Sequence, residues 1–366
     1  MHDYRPIYGT DKQDLETPCL VIDLDAMENN FDVISKEYSN TVCKMRQHAK
    51  NIKCPEILQK QIAQGGTNGG ICTAKVSEAE LMVEGGITDI LITSQIVGKD
   101  KLDRLTALAK RGNIKVCVDN RDNLIELSTS AVRNESVVGI LIEVDTSMNR
   151  AGIRNSEEAV ALAKIAQTLP GVKFLGVMSH QTIDGEPDRE TRFLEGKKYI
   201  DMCLAIKTAI ENEGIPVTVV SSGETFTYDV ATRIQGVTEV EGGTYALMSD
   251  PTSYMNEFTI AGKVLVTVID VKGKYITIDA GYRELGGPLG ITPVVEGFKE
   301  ILEFECMSDT YSVLRSHSEV SLDIGSLLYL HSSQSDILVN RWDSFVGLRK
   351  DRVELVLDIT ARGCHN

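Results

Sequence analysis

The sequence predicts an α/β protein, a (β/α)8 TIM-type barrel followed by a C-terminal antiparallel β domain. Three observations carry this reading. From about residue 25 to 255, eight short β-branched runs alternate with longer stretches whose apolar residues recur at helical spacing. No Gly-rich phosphate loop follows the first run, which disfavours a doubly wound sheet. After residue 255 the pattern changes to alternating strands joined by tight turns, without long helices.

Taken in order, the expected barrel strands are TVCKMRQ (41–47), GICTAKV (70–76), DILITSQ (89–95), IKVCVDN (114–120), GILIEVD (139–145), KFLGVMSH (173–180), VTVVSSG (217–223) and TEVEGG (238–243). Segments such as SEAELMVEGG and NSEEAVALAKIAQTLPG read as the intervening helices. Ser77 with Glu80 has the spacing of a capping box, and Gly85–Gly86 and Gly171 read as helix stops. Residues 25–255 therefore form the barrel and 256–366 the β domain. FTIAGKVLVTVIDVKGKYITIDAG and RVELVLDITARG are among the latter's strands. Residues 1–24 are too few to fold alone and are expected to join it.

The 366 residues carry a net charge of −15, with 42% hydrophobic and 25% charged residues. That balance argues against nucleic acid or an anionic membrane as the main partner, although a local basic pocket can still take a small anion. With one Trp and eight Phe, the core falls to Val, Ile, Leu and Ala, which suits buried parallel strands. Eight cysteines, none spaced as CxxC, read as reduced thiols of a cytoplasmic protein. The opening MHDYRPIYGTDKQDLETP has no apolar h-region, so no secretory signal is expected. No apolar run reaches the length of a membrane span.

Chemistry in such a barrel sits at the carboxyl ends of the strands. The first strand runs into RQHAKNIK, where Arg46, His48 and Lys50 share parity and would lie on one face of an extended chain. Crowded cations favour a lysine acting as a neutral amine toward an aldehyde, the requirement for a Schiff base. Arg150, in EVDTSMNRAGI after the fifth strand, offers two donors to an oxygen anion. His180, ending the sixth, can pack flat on an aromatic ring or shuttle a proton. SSGET and EGGTYALM follow the seventh and eighth strands and bring Ser222, Gly223, Thr225, Gly243, Thr244 and Tyr245 together as phosphate-binding turns. In the β domain, YLHSSQSD carries His331, Ser333 and Asp336, either a metal-binding histidine with a carboxylate or a hydrogen-bonded structural histidine.

These blocks together resemble the D-threonine aldolase and D-serine dehydratase group of pyridoxal 5'-phosphate (PLP) enzymes, which share the alanine-racemase-type barrel of fold type III. TPCLVIDLDAMENN is similar to that group's opening, and RQHAKNIKCPEI to its R-P-H-x-K-T-H-K motif. ICTAKVSEAELMVEGGITDILITSQIVG is similar to its next block, and EVDTSMNRAGI to its DTGMxRxG motif. DAGYRE and DITARG match as well. The resemblance implies a Schiff base on Lys50 with His48 beside it, Arg150 on the cofactor's phenolic oxygen and His180 against the ring. It implies a phosphate held by Ser222, Gly223, Thr225, Gly243, Thr244 and Tyr245. It also implies that Lys50, His180 and His331 are catalytic, with a divalent metal, manganese or zinc, on His331.

The departures are specific. Gln47 replaces the motif's proline, and Asn51–Ile52 replace its Thr–His pair. Ser333 stands where the aldolases have Asp and the dehydratases Cys. A hydroxyl is a poor ligand for a divalent cation, so the metal stays open, with Asp336 as a compensating donor. The implied activity is that of a PLP-dependent lyase cleaving a β-hydroxy-D-amino acid by retro-aldol chemistry. β-Elimination by an ammonia-lyase and a metal-independent racemase are the alternatives. A small amino-acid substrate and a homodimer are the implied partners.

Overall fold

The computed structural model describes residues 4–181, 183, 185–286 and 292–366. The chain divides into two compact units. One comprises Ile34–Lys50, Pro55–Gly243 and Cys364–Asn366; the other comprises Asn51–Cys54, Thr244–Gly363 and the N-terminal segment up to Val33.

Strand β1 (Cys19–Asp23) belongs to the second unit. The next eight strands close a parallel barrel: β2 (Lys44–His48), β3 (Thr67–Thr73), β4 (Asp89–Ile92), β5 (Asn113–Val118), β6 (Val138–Glu143), β7 (Val172–Ser179), β8 (Val219–Ser222) and β9 (Glu239–Val240). Each expected run overlaps one of them, shifted or trimmed at the ends by hydrogen-bond register. Helices α1 (Leu24–Tyr38), α2 (Pro55–Gln64), α3 (Val76–Glu84), α4 (Lys99–Leu108), α5 (Arg121–Arg133), α6 (Ser156–Thr168), α7 (Arg189–Asn212) and the short α8 (Tyr228–Ala231) alternate with the strands. Inside the barrel, Cys72, Leu91, Cys117, Leu141 and Met178 form one fully buried layer, a residue from each of β3 to β7. β6 is buried along its whole length, as a strand covered on both faces must be.

The expected capping box is made by a different residue. Helix α3 begins two residues early, with Lys75 as its N-cap, and Glu78 Oε2 accepts from the N–H groups of Ala74 (2.8 Å) and Lys75 (3.1 Å). Ser77 instead donates its N–H to the carbonyl of Asn366 (2.8 Å), and Glu80 turns outward to Arg104. A box at Ser77 would need that N–H inside the first turn. Gly85 caps α3 as expected, with Gly86 at φ +89° closing the turn.

The shared face expected for Arg46, His48 and Lys50 is also corrected. β2 ends at His48, and Lys50 lies in the 3-10 turn Ala49–Asn51. Arg46 points into the barrel and is almost wholly buried. Its Nε and Nη2 donate to both oxygens of Glu239 on β9 (2.9 and 3.0 Å), and Nη1 donates to Asp89 on β4 (2.5 Å). Lys115 on β5 donates to both oxygens of Asp89 (2.9 Å each). Part of the positive charge concentrated near residue 46 thus sits in an ion network near the amino ends of the strands.

The second unit is a nine-stranded, mostly antiparallel sheet. Its later strands are β10 (Gly262–Lys272), β11 (Tyr275–Ile278), β12 (Val294–Val295), β13 (Leu302–Met307), β14 (Ser312–Ser316), β15 (Leu327–His331), β16 (Ser344–Arg349) and β17 (Arg352–Asp358). The order is β13-β14-β11-β10-β1-β16-β17, with β15 on β10 and β12 on β15. The N-terminal segment contributes β1 between β10 and β16, and it pairs parallel to β16. Leu15, Cys19, Val21, Leu265, Val346, Leu348 and Val353 form its core.

Candidate active site

In the barrel unit, the carboxyl ends of the strands surround a cleft of about 210 Å³. Four expected residues line it: His48, Lys50, Arg150 and His180. Each is placed by a local device. The N–H of Lys50 donates to His48 Nδ1 (3.3 Å), which ties the 3-10 turn to the strand end. His48 Nε2 lies 3.3 Å from Thr93 Oγ1. With Nδ1 accepting, the ring proton belongs on Nε2.

Arg150 stands on a loop folded back beside β6. Asp145 N–H donates to Ile153 O (3.0 Å), and Ile153 N–H to Glu143 O (2.8 Å). Gly152 sits at φ +102°, and a Cβ there would lie 2.7 Å from the backbone nitrogen of Asp145. The return path therefore requires glycine. Arg150 Nη2 lies 3.8 Å from Glu143 Oε1, and Gln95 Nε2 donates to Glu143 Oε2.

His180 immediately follows β7. Burial, together with the charges of Lys50 and Arg150, lowers its pKa to about 3, so the imidazole is neutral near pH 7. Glu143, Gln95, Thr93 and Glu241 also line the cleft and were not anticipated. Burial raises the Glu143 carboxyl, and raises that of Glu241 from its ordinary 4.5 to about 8, despite the hydrogen bond it accepts from Ser221 (2.7 Å). Glu241 is therefore neutral in the fold at pH 7 but ionised in the unfolded chain. Its contribution favours folding most below pH 4.5, weakens as pH rises toward about 8, and is level above that. In cofactor-free protein, Glu241→Gln is expected to remove that slope. The check is the thermal midpoint of both proteins at about pH 5 and about pH 8, where the parent should lose more than the variant.

The expected phosphate residues divide. Gly223 has φ +117°, and a Cβ there would come within 3.2 Å of both Thr227 Oγ1 and Val240 Cγ1. Thr225 Oγ1 accepts from the Gly243 N–H (3.2 Å), so the turns after β8 and β9 are joined. The Ser222 side chain is fully buried, with Oγ 2.8 Å from Ser179 Oγ; both hydroxyls face Cys203 on α7, while the neighbouring Ser221 takes the inward place on β8 and donates to Glu241. Thr244 and Tyr245 belong to the sheet unit. There Tyr245 is buried between Phe31 and Phe258, with ring centroids 6.4 and 5.9 Å away, and its hydroxyl has no hydrogen-bond partner among the described residues.

Within the sheet unit, His331 ends β15. Its Nε2 lies 3.7 Å from Glu296 Oε1, which accepts from Lys263 Nζ at 2.7 Å. Against the upward push of burial, the nearby His331 ring together with the hydrogen bond and charge of Lys263 hold the Glu296 carboxyl down at about 2. Ser333 Oγ is buried without a hydrogen-bond partner among the described residues. This donor set does not fit a divalent cation: Ser333 offers a neutral hydroxyl, and an ammonium already balances the carboxylate beside His331. Ser333→Asp combined with Lys263→Met should create the missing carboxylate and remove the resident cation. That variant is expected to retain about one Mn²⁺ per chain after dialysis, against less than about a tenth for the parent. Elemental analysis reads both, and stoichiometric metal in the parent contradicts the donor-set argument.

A closed parallel barrel with a mostly antiparallel sheet unit is the alanine-racemase-type architecture, fold type III of PLP enzymes. Residues 22–251 match the alanine racemase N-terminal domain, and the chain belongs to that family. It is 31% identical to the 3-hydroxy-D-aspartate aldolase of Paracoccus denitrificans (strain Pd 1222), covering 99% of this chain and 96% of the relative. It is 31% identical to the D-threonine aldolase of Arthrobacter sp., covering 95% and 93%. The crystal structure of D-threonine aldolase from Filomicrobium marinum superposes with a TM-score of 0.92 at 28% identity, covering 99% of this chain and all of that one. No helix among the described residues is long and apolar enough to cross a membrane.

Proposed function

We propose that this chain is a PLP-dependent lyase that cleaves a β-hydroxy-D-amino acid by retro-aldol chemistry to glycine and an aldehyde. The observation that carries the reading is the cleft itself. An amine at Lys50, a guanidinium at Arg150 and a neutral imidazole at His180 converge at the carboxyl end of the barrel. The aldolase relatives, similar along nearly the whole chain, support the reaction class.

The cofactor's features and the cleft residues match in chemical type. Lys50 Nζ would hold the aldehyde, Arg150 the phenolic oxygen, and the glycine turn at Gly223 would give a phosphate close access to backbone N–H groups. Bound there, PLP supplies an electron sink for the pair released when the Cα–Cβ bond breaks. The protein's part is orientation and proton control. Glu143, braced by Gln95, holds Arg150 toward the cleft. His180, uncharged, would lie beside the ring without competing for its electrons. Lys50 Nζ would yield its place to the substrate's amine and would deliver a proton to Cα of the glycine product, balancing the proton that the substrate's β-hydroxyl gives up as it becomes the aldehyde. By resemblance the assembly is a homodimer, which sedimentation of the purified protein reads directly.

The test is a panel of D- and L-β-hydroxy amino acids, including D-threonine and 3-hydroxy-D-aspartate, incubated with PLP-loaded protein. Glycine and aldehyde in equal amounts from D-substrates are expected. Keto acid with ammonia would replace the reading by β-elimination, and inversion at Cα alone would replace it by racemisation.

A further inference from the structure

Two carboxyl groups line the cleft, and they are not equivalent. Glu143 has both oxygens addressed by protein groups, Gln95 on one side and Arg150 on the other. Glu241, at the end of the last barrel strand, is buried to within 4% and accepts from Ser221 Oγ through Oε1. Two residues before it, Glu239 carries the Arg46 ion pair, so that guanidinium is already committed. Part of the cleft floor is Met178, a member of the apolar interior layer with Cys72 and Cys117, which offers Glu241 no cation.

The reading above assigns the amine to an aldehyde, the guanidinium to a phenolic oxygen and backbone N–H groups to a phosphate. The one basic atom of PLP left without a partner is its ring nitrogen. An acid is the group that satisfies a basic nitrogen, and Glu241 is the acid in the cleft not bound to a cation. We propose that Glu241 is the residue that addresses the cofactor's ring nitrogen, donating a proton or hydrogen bond to it and thereby strengthening the electron sink. Glu241 is then a cofactor-binding residue whose carboxyl is fixed by Ser221. Its neutral state in the ligand-free cleft accords with donation, since a carboxylate there has only acceptors to offer.

This rests on the PLP reading of the cleft, and the experiment separates the two. The parent, Glu241→Gln and Glu241→Leu are each titrated with PLP and with its 1-deaza analogue, in which C–H replaces the ring nitrogen. Both ligands keep the aldehyde, so both give the visible imine band if the cleft reading holds. No band with either ligand in the parent overturns that reading and this proposal with it. The parent is expected to bind PLP about tenfold or more tightly than the analogue, as expected for one charge-assisted hydrogen bond. In Glu241→Leu the ratio should collapse toward about one, with Glu241→Gln, whose amide still donates, between the two. An undiminished ratio in Glu241→Leu, with the band present, overturns the proposal alone. Should the leucine variant fail to fold, the ring-¹⁵N shift of labelled PLP in the parent and in Glu241→Gln decides. A shift between them supports the assignment, and identical shifts contradict it.

Discussion

Replacing Lys50 with alanine is expected to lower turnover on the order of 10³-fold or more and to leave the PLP-incubated protein colourless. The size follows from the role. A lysine that merely lined the cleft would contribute a contact, and its loss would change affinity severalfold. A lysine that carries the cofactor and later moves a proton at Cα contributes to every turnover. The turn that holds it is made by backbone and by His48 Nδ1, so truncating the side chain leaves its neighbours in place. Addition of a small primary amine should restore part of the rate in Lys50→Ala. Lys53→Ala, three residues on and nearly buried in the sheet unit, should keep its colour. Absorbance and initial rates read all three. A yellow, active Lys50→Ala variant would contradict the assignment.

The second large effect is on stability. Arg46→Met is expected to destabilise the protein by about 3–5 kcal/mol, because it leaves Glu239 buried without its bidentate partner. Asp89 keeps Lys115, so the damage concentrates at Glu239, whose remaining donor is Asn68 at 2.6 Å. Removing both charges together, as Arg46→Met with Glu239→Met, should cost far less than the first change alone, because the expensive element is an unpaired buried charge. Urea unfolding of the two variants separates these outcomes. Equal destabilisation would mean that the pair itself, rather than its burial, carries the energy.

The barrel was legible because its strands are written in a restricted alphabet. GILIEVD and IKVCVDN are β-branched and bounded by helix-starting residues, and each became a strand of the closed barrel. The C-terminal strands were legible from alternation and turn residues. Less visible was the parallel pairing of β1 with β16, since it joins residues more than three hundred positions apart. Within the cleft, His48, Lys50, Arg150 and His180 come from three strand ends, and the strand-end rule located them without contact information.

The residues that sequence reading missed share a cause. Glu143 and Glu241 each sit at or just past a strand end, where a carboxylate looks like the start of a loop. The available signal was a carboxylate embedded in an apolar run, Glu143 after GILI and Glu241 two residues after Glu239. Which of Glu239 and Glu241 faces the cleft and which joins the ion network at the amino end depends on register around the closed barrel. Arg46 was misjudged for the same reason: its partner Glu239 lies on the last strand, and only closure makes first and last neighbours. The direction of the Ser222 side chain was not legible either: it turns toward Cys203 on α7, and Ser221 takes the inward place on β8.

The central claim is that Lys50, at the carboxyl end of the first barrel strand, carries the cofactor. Borohydride reduction of the PLP-loaded protein, followed by proteolysis and mass spectrometry, tests it most directly. The account predicts a single pyridoxyl modification, on the peptide containing His48, Lys50 and Lys53, with the fragment ions placing it on Lys50. Modification at Lys53 or at any other lysine, or none at all, would contradict it.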